Sequence, residues 1–188
     1  MMRRLDAAQD AVMTDRVLVA FSSKHGATRE IADAIAEQLR VDGLSVDAKP
    51  VADVVDIDPY AAVIVGSAVY MGRWRRDAVR FLKHHGTALG ERPLWLFTSG
   101  PLDTSDVGDH TPRNVRRLAE RIGAREHATF YGRLPEEPSG FAARAMVSAT
   151  PADERDARDW TAIRSWADAI APELSGEPAT LAIGSDER

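Results

Sequence analysis

FSSKHGATREIA, residues 21–32, decides how the rest of the chain is read. The residues before it, Val17 to Phe21 (VLVAF), form a short apolar run of the kind buried on both faces of a parallel sheet. After it, Ile31, Ile35 and Leu39 recur at a spacing of four, and Ala32 and Ala36 widen the stripe into one helix face. The stretch is therefore the polar turn between a buried strand and an amphipathic helix. It gathers Ser22, Ser23, Lys24, His25, Gly26, Ala27 and Thr28 at the strand's carboxyl end. A glycine there lets backbone amides approach an anion, and the helix start adds free N–H groups and a positive dipole end. The composition suits a phosphate cradle. It suits a capped strand-to-helix turn equally well, and it matches neither the P-loop nor the Gly-x-Gly-x-x-Gly pattern.

The same alternation extends outward. Ala62 to Gly66, Leu94 to Thr98 and Ala128 to Tyr131 read as buried strands, and Leu44 to Lys49 as a weaker edge strand. Helical faces follow in Ala78, Phe81, Leu82 and His85, with Gly86 as a stop and His85 as a hydrogen-bonded core residue. Val115, Leu118, Ala119 and Ile122 form another face, with Thr111 as cap, Pro112 in the first turn and Gly123 just past the end. Trp160, Ile163, Ala167 and Ile170 form the last, ending at Pro172. Five strands alternating with helices predict an α/β single domain, a doubly wound five-stranded parallel sheet in the order 2-1-3-4-5 with helices on both faces. Ligands of such sheets sit beyond the carboxyl ends of the strands.

Two more loops lie at that edge. Ser67, Ala68, Val69, Tyr70, Met71, Gly72 and Trp74 follow the third strand, where an aromatic ring beside a flexible glycine would stack on a flat ligand or pack over the next helix. Thr98, Ser99, Gly100, Pro101, Leu102 and Asp103 follow the fourth. They would read a heterocycle's edge, or belong to a surface loop whose Asp103, Asp106 and Asp109 are solvated. A phosphate cradle, a stacking loop and an edge-reading loop at one end of one sheet make the outline of a mononucleotide site, with FMN as the obvious ligand.

Composition narrows the chemistry. The chain has 188 residues and no cysteine, which excludes disulfides, thiol catalysis and cysteine-held metal, so redox work requires a bound cofactor. His84, His85, His110 and His127 lack metal-ligand spacing, and no metal is expected. A net charge of −5 gives no reason to expect nucleic acid. No apolar run approaches the ~20 residues of a membrane span, and the N-terminus lacks the apolar core of a secretory signal. The expectation is a cytoplasmic protein: residues 1–15 a flexible extension (Met13 an alternative start), 16–174 the folded domain, 175–188 a disordered tail. A homodimer is compatible with the chain, but nothing in it fixes an interface.

SSKHGATREIA, VIVGSAVYMGRWRRDAVRFLKHH (63–85) and DWTAIRSWADAIA (159–171) resemble the flavodoxin fold. They most resemble the flavodoxin-like menaquinone-dependent protoporphyrinogen dehydrogenases, over about residues 17–174. The resemblance implies noncovalent FMN, its phosphate on Ser23 to Thr28 and its ring between the loops 67–74 and 98–103. It also implies a small-molecule or quinone redox partner or a redox protein; Phe141, Met146 and Val147 would make a brief peripheral contact with a membrane or a hydrophobic substrate, or belong to a short helix packing on the domain. Two departures stand out. His25 replaces the middle hydroxyl of the family's cradle, and residues 133–155, with Glu136, Glu137, Asp153 and Glu154, are shorter and more acidic than the family's basic insertion. Three functions follow: an FMN-dependent oxidoreductase acting on a reduced organic substrate such as a porphyrinogen with a quinone acceptor, a flavodoxin-type electron carrier, or a flavin-free binding module. A phospho-receiver is excluded, because Ser22, Ser23 and Ser67 stand where it needs acids.

Overall fold

The computed structural model describes residues 16–100, 111–138 and 140–174. Five parallel strands carry the fold: β1 (Arg16–Ser22), β2 (Ser45–Pro50), β3 (Ala62–Tyr70), β5 (Leu94–Gly100) and β6 (Glu126–Tyr131). They lie side by side as β2-β1-β3-β5-β6, and a two-residue strand β4 (Arg73–Trp74) folds back antiparallel on β3. Leaving β4 aside, this is the expected doubly wound order.

Alternation within the buried strands builds two cores. Val17, Val19 and Phe21 of β1 point to the layer formed by α1 (Ala27–Val41) and α6 (Trp160–Leu174). Leu18 and Ala20 point to the opposite layer of α2 (Arg76–His84), α3 (Gly86–Gly90) and α4 (Arg113–Ile122). The helical stripes land as the spacing demands: Ile31, Ala32, Ile35, Ala36 and Leu39 are fully buried, as are Ala78, Leu82 and Val115. Burying a side chain of leucine or isoleucine size stabilises by about 1.5–3 kcal/mol before ordering costs.

Several expectations are corrected. The third strand runs to Tyr70, so Ser67 to Tyr70 are strand rather than loop; β4 pairs with it through Val69–Trp74 and Tyr70–Arg73. The turn uses two left-handed residues, Met71 (φ 52°) and Gly72 (φ 70°), whose twist matches a two-residue hairpin. Gly86 opens α3 instead of only stopping α2. Pro112, not Thr111, occupies the cap position of α4, whereas Gly123 ends it with φ 81°. Pro172 does not end α6, which continues to the buried Leu174; burial of Ala171 and Leu174 offsets the missing N–H. His85 is half-buried against the Phe81 ring, centroids 4.7 Å apart, rather than a core residue; its burial and then His84 push its pKa down. In the segment after β6, α5 (Phe141–Ala149) buries Val147 and leaves Phe141 exposed. Residues 1–15, 101–110 and 175–188 lie outside the described residues.

Candidate functional site

Register places a row of hydroxyls across the sheet's carboxyl end: Ser22 stands opposite Ser67, Ser67 opposite Thr98, and Thr98 opposite Thr129. Three members are buried and committed to the hairpin. The Ser22 hydroxyl donates to Asp77 Oδ1 (2.6 Å) and accepts from Arg75 Nε (2.7 Å). Ser67 Oγ accepts the Arg75 backbone N–H (3.1 Å), and Thr98 Oγ1 accepts the Trp74 indole N–H (2.8 Å) while meeting His127 Nε2 at 2.7 Å. Asn114 at the start of α4 completes the stitching, accepting the Trp74 N–H and donating to the Trp74 carbonyl. The expectation that Trp74 offers a stacking ring is thereby corrected. It is 2% exposed and lies edge-on to His127 beneath the hairpin. Tyr70 is half-exposed at the edge, and Met71 is 100% exposed at the tip.

The turn after β1 is arranged differently. Ser23 Oγ accepts the Gly26 N–H (3.1 Å), closing the loop on itself. Gly26 adopts φ 89°, a left-handed conformation that L side chains resist, and caps α1 with no side chain accepting its first amides. Thr28 is buried in the first turn, while Lys24 and Arg29 are exposed. His25 is held below its ordinary pKa by burial first, then by the charges of Lys24 and Arg75. It is therefore neutral at pH 7 and can donate one ring N–H. A cavity of about 370 Å³ opens here, lined by Ser22, Ser23, Gly26, Arg29, Val51 and Asp77 among others.

Two arrangements were not foreseen from sequence. Arg75 crosses from the hairpin to the end of β1, where its guanidinium also meets Asp77 Oδ2 at 3.2 Å. Burial works against the Asp77 charge, but the Ser22 and Arg75 hydrogen bonds outweigh it and hold the pKa below the usual range. Burial raises the Tyr70 pKa, with Arg75 opposing, so the phenol stays protonated. Near Gly26, Glu30 would repel an anion, yet Arg133 (2.9 Å) and Arg158 (2.6 Å) both pair with it. The Arg158 side chain, 4% exposed, is fixed in turn by Asp156. The run GRWRR shows the first arrangement's cations; no spacing signals the second.

Of the expected site residues, Ser23, Lys24, His25, Gly26, Ala27 and Thr28 come together around the α1 start, with Ser22 beneath them. Ala68, Ser99 and Gly100 line up at the ends of β3 and β5, where Gly100 lies against Val69. Pro101, Leu102 and Asp103 lie outside the described residues. Among the described residues no group of three or more His, Asp or Glu could hold a metal, and no helix is long and apolar enough to cross a membrane.

A flavodoxin domain family model matches residues 18–160. The chain belongs to the flavodoxin domain family. Among solved structures, a flavodoxin from the domain Archaea superposes with TM-score 0.58 at 14% identity, covering 85% of this chain and 99% of that one. Oxidised flavodoxin 2 from Bacillus cereus gives 0.55 at 18% identity, covering 84% and 99%. A curated relative, protoporphyrinogen IX dehydrogenase [quinone] of Escherichia coli strain K12, is 31% identical over 88 residues. That match spans 44% of this chain and about half, 47%, of the relative. Membership of the flavodoxin family implies FMN binding, and the β1–α1 turn fits its phosphate: a left-handed glycine, open helix amides, the Ser23 hydroxyl, a neutral His25 and the cations Lys24 and Arg29.

Proposed function

We propose that this flavodoxin-family protein is an FMN-dependent oxidoreductase that oxidises a small reduced organic substrate and passes the electrons to a quinone. Porphyrinogen and quinone, the pair in the partial relative's name, are the first to assay. The observation that carries the reading is the turn Ser23–Gly26, whose open α1 amides and left-handed glycine suit a phosphate monoester. FMN supplies, when bound, the exchange of one or two electrons. The chain's share is position and charge. Ser23 to Thr28 would hold the phosphate, with His25 donating an N–H in place of a hydroxyl. The hairpin carrying Tyr70, fixed by the buried hydroxyls of Ser22, Ser67 and Thr98, would flank the ring without rearranging. The Glu30–Arg133–Arg158 cluster would keep the Glu30 carboxylate from repelling the anion.

Enzyme is favoured over carrier by the cations at the edge. Lys24, Arg29, Arg73 and Arg76 are exposed there, whereas a shuttle meeting basic partners presents acids. The test begins with the visible spectrum of the purified protein and chromatography of any released flavin. FMN is expected, followed by quinone reduction driven by protoporphyrinogen. Flavin without quinone reduction but with rapid transfer to a haem protein would make it a carrier. A colourless chain that takes up no added FMN would overturn the cofactor assignment and leave a flavin-free binding module.

A further inference from the structure

We propose that the cleft along α2 is a second binding site, for a compact organic anion of the nucleoside-diphosphate class. This goes beyond the flavin reading, and the cleft adjoins the proposed flavin site at the Tyr70 hairpin and shares Arg73 and Arg76 with its edge. The cleft encloses about 610 Å³, within the range of pockets that hold small organic ligands. Its walls include Tyr70, Arg73, Arg76, Arg80, Lys83 and Asn114, and among the described residues no Asp or Glu lines it. The cavity at the β1 turn has a wholly different lining. Arg75 forms the partition: it lines the cleft, while the Ser22 and Asp77 that hold it line the other cavity.

The chemistry of the walls selects the ligand. Arg75 is neutralised by Asp77, but Arg73, Arg76, Arg80 and Lys83 make no ion pair among the described residues. Arg76, Arg80 and Lys83 occupy positions i, i+4 and i+7 of α2, one face of a helix and about 10 Å along its axis. Four uncompensated cations around one cleft repel each other at a cost that a ligand of several closely spaced charges relieves. Two adjoining phosphates bring about three negative charges into that length and accept bidentate pairs from guanidinium groups. Separate single carboxylates would leave half the cations unmet. At the N-terminus of α2 the Asp77 carboxylate already takes the Ala78 N–H (3.1 Å), so the helix end adds little and the side-chain cations carry the site. Asn114 spends one amide hydrogen on the Trp74 carbonyl and keeps the other. At the mouth, the half-exposed Tyr70 offers a protonated ring face for a flat base.

The test is calorimetric titration of the full chain saturated with FMN, using ADP, inorganic pyrophosphate, citrate and polyglutamate as probes. Arg80→Glu/Lys83→Glu is the variant, since both side chains are exposed and the fold does not need them. ADP is expected to bind with Kd below about 1 mM and pyrophosphate more weakly. The double variant should weaken both by at least about tenfold with FMN uptake unchanged. Silence with ADP and pyrophosphate at millimolar concentration overturns the proposal, as does binding that ignores the double variant. Tighter binding of citrate or polyglutamate than of ADP also overturns it, assigning the cleft to a polycarboxylate or an acidic protein. A chain that refuses FMN yet binds ADP through Arg80 and Lys83 supports this site while overturning the flavin reading.

Discussion

Two hydroxyl-bearing regions meet at one edge of the sheet, and their chemistry is spent in opposite ways. In the row Ser22, Ser67 and Thr98, every hydroxyl is buried and turned toward the hairpin, bonding Arg75, Asp77 and Trp74. In the turn one residue further along, Ser23 closes its own loop and the amides of α1 are left open. Ser22 and Ser23 are indistinguishable by type; pleat and register decide which one is buried against the hairpin and which one stands on the turn. A buried hydroxyl without a partner costs about 1–3 kcal/mol, so a hydroxyl inside the sheet must be paired internally, whereas one on the turn can wait for a ligand.

Substitutions can break or sharpen that contrast. Gly66→Ala should have the largest effect, because a Cβ there would come within 1.9 Å of the buried Phe97 ring, forcing β3 or the ring to move. A loss of about 3 kcal/mol in urea unfolding is expected; a loss near zero would mean that the bed of the row is looser than drawn. Thr98→Val strands the Trp74 N–H and should cost about 2 kcal/mol of stability while FMN affinity holds. If affinity falls and stability holds, the row is a ligand contact and the contrast fails. Gly26→Ala should behave inversely. Left-handed strain of about 1–2 kcal/mol should appear as about tenfold weaker FMN uptake while costing no more stability than Thr98→Val.

The smallest effect is with pH. His25 titrates below its ordinary 6.5 in the folded chain, so folding disfavours its proton. That contribution is present above pH 6.5 and fades as pH falls through the lowered value. His25→Gln should flatten a shallow, salt-screened decline in stability below pH 6.5; a decline unchanged in the variant would assign it to His85, whose pKa burial also lowers, since Asp47 and Asp77 lose their contribution only at more acid pH.

The strands and helix faces were readable because their signal is local: β1's unbroken apolar run and the Ile31–Ile35–Leu39 stripe need no distant partner. The hairpin was not. Met71 adopts a positive φ for which methionine gives no sign, and without that turn Trp74 reads as a loop aromatic instead of a buried one. The turn 22–28 could be located from the glycine and the helix behind it, yet Arg75 could not be placed there, because what brings it to Ser22 is the fold of β4 onto β3. The Glu30 cluster was out of reach altogether, its partners lying 103 and 128 residues along the chain.

That separation has a kinetic meaning. The strand, turn and helix of the proposed phosphate site are all present by Val41, but the acid beside Gly26 is compensated only when Arg133 and Arg158 arrive from the far end of the sequence. Closing loops of that length comes late in folding. Anion affinity should thus be among the last properties a refolding chain recovers, lagging the return of helical signal, and a nascent chain should remain unable to hold its cofactor until synthesis has passed Arg158.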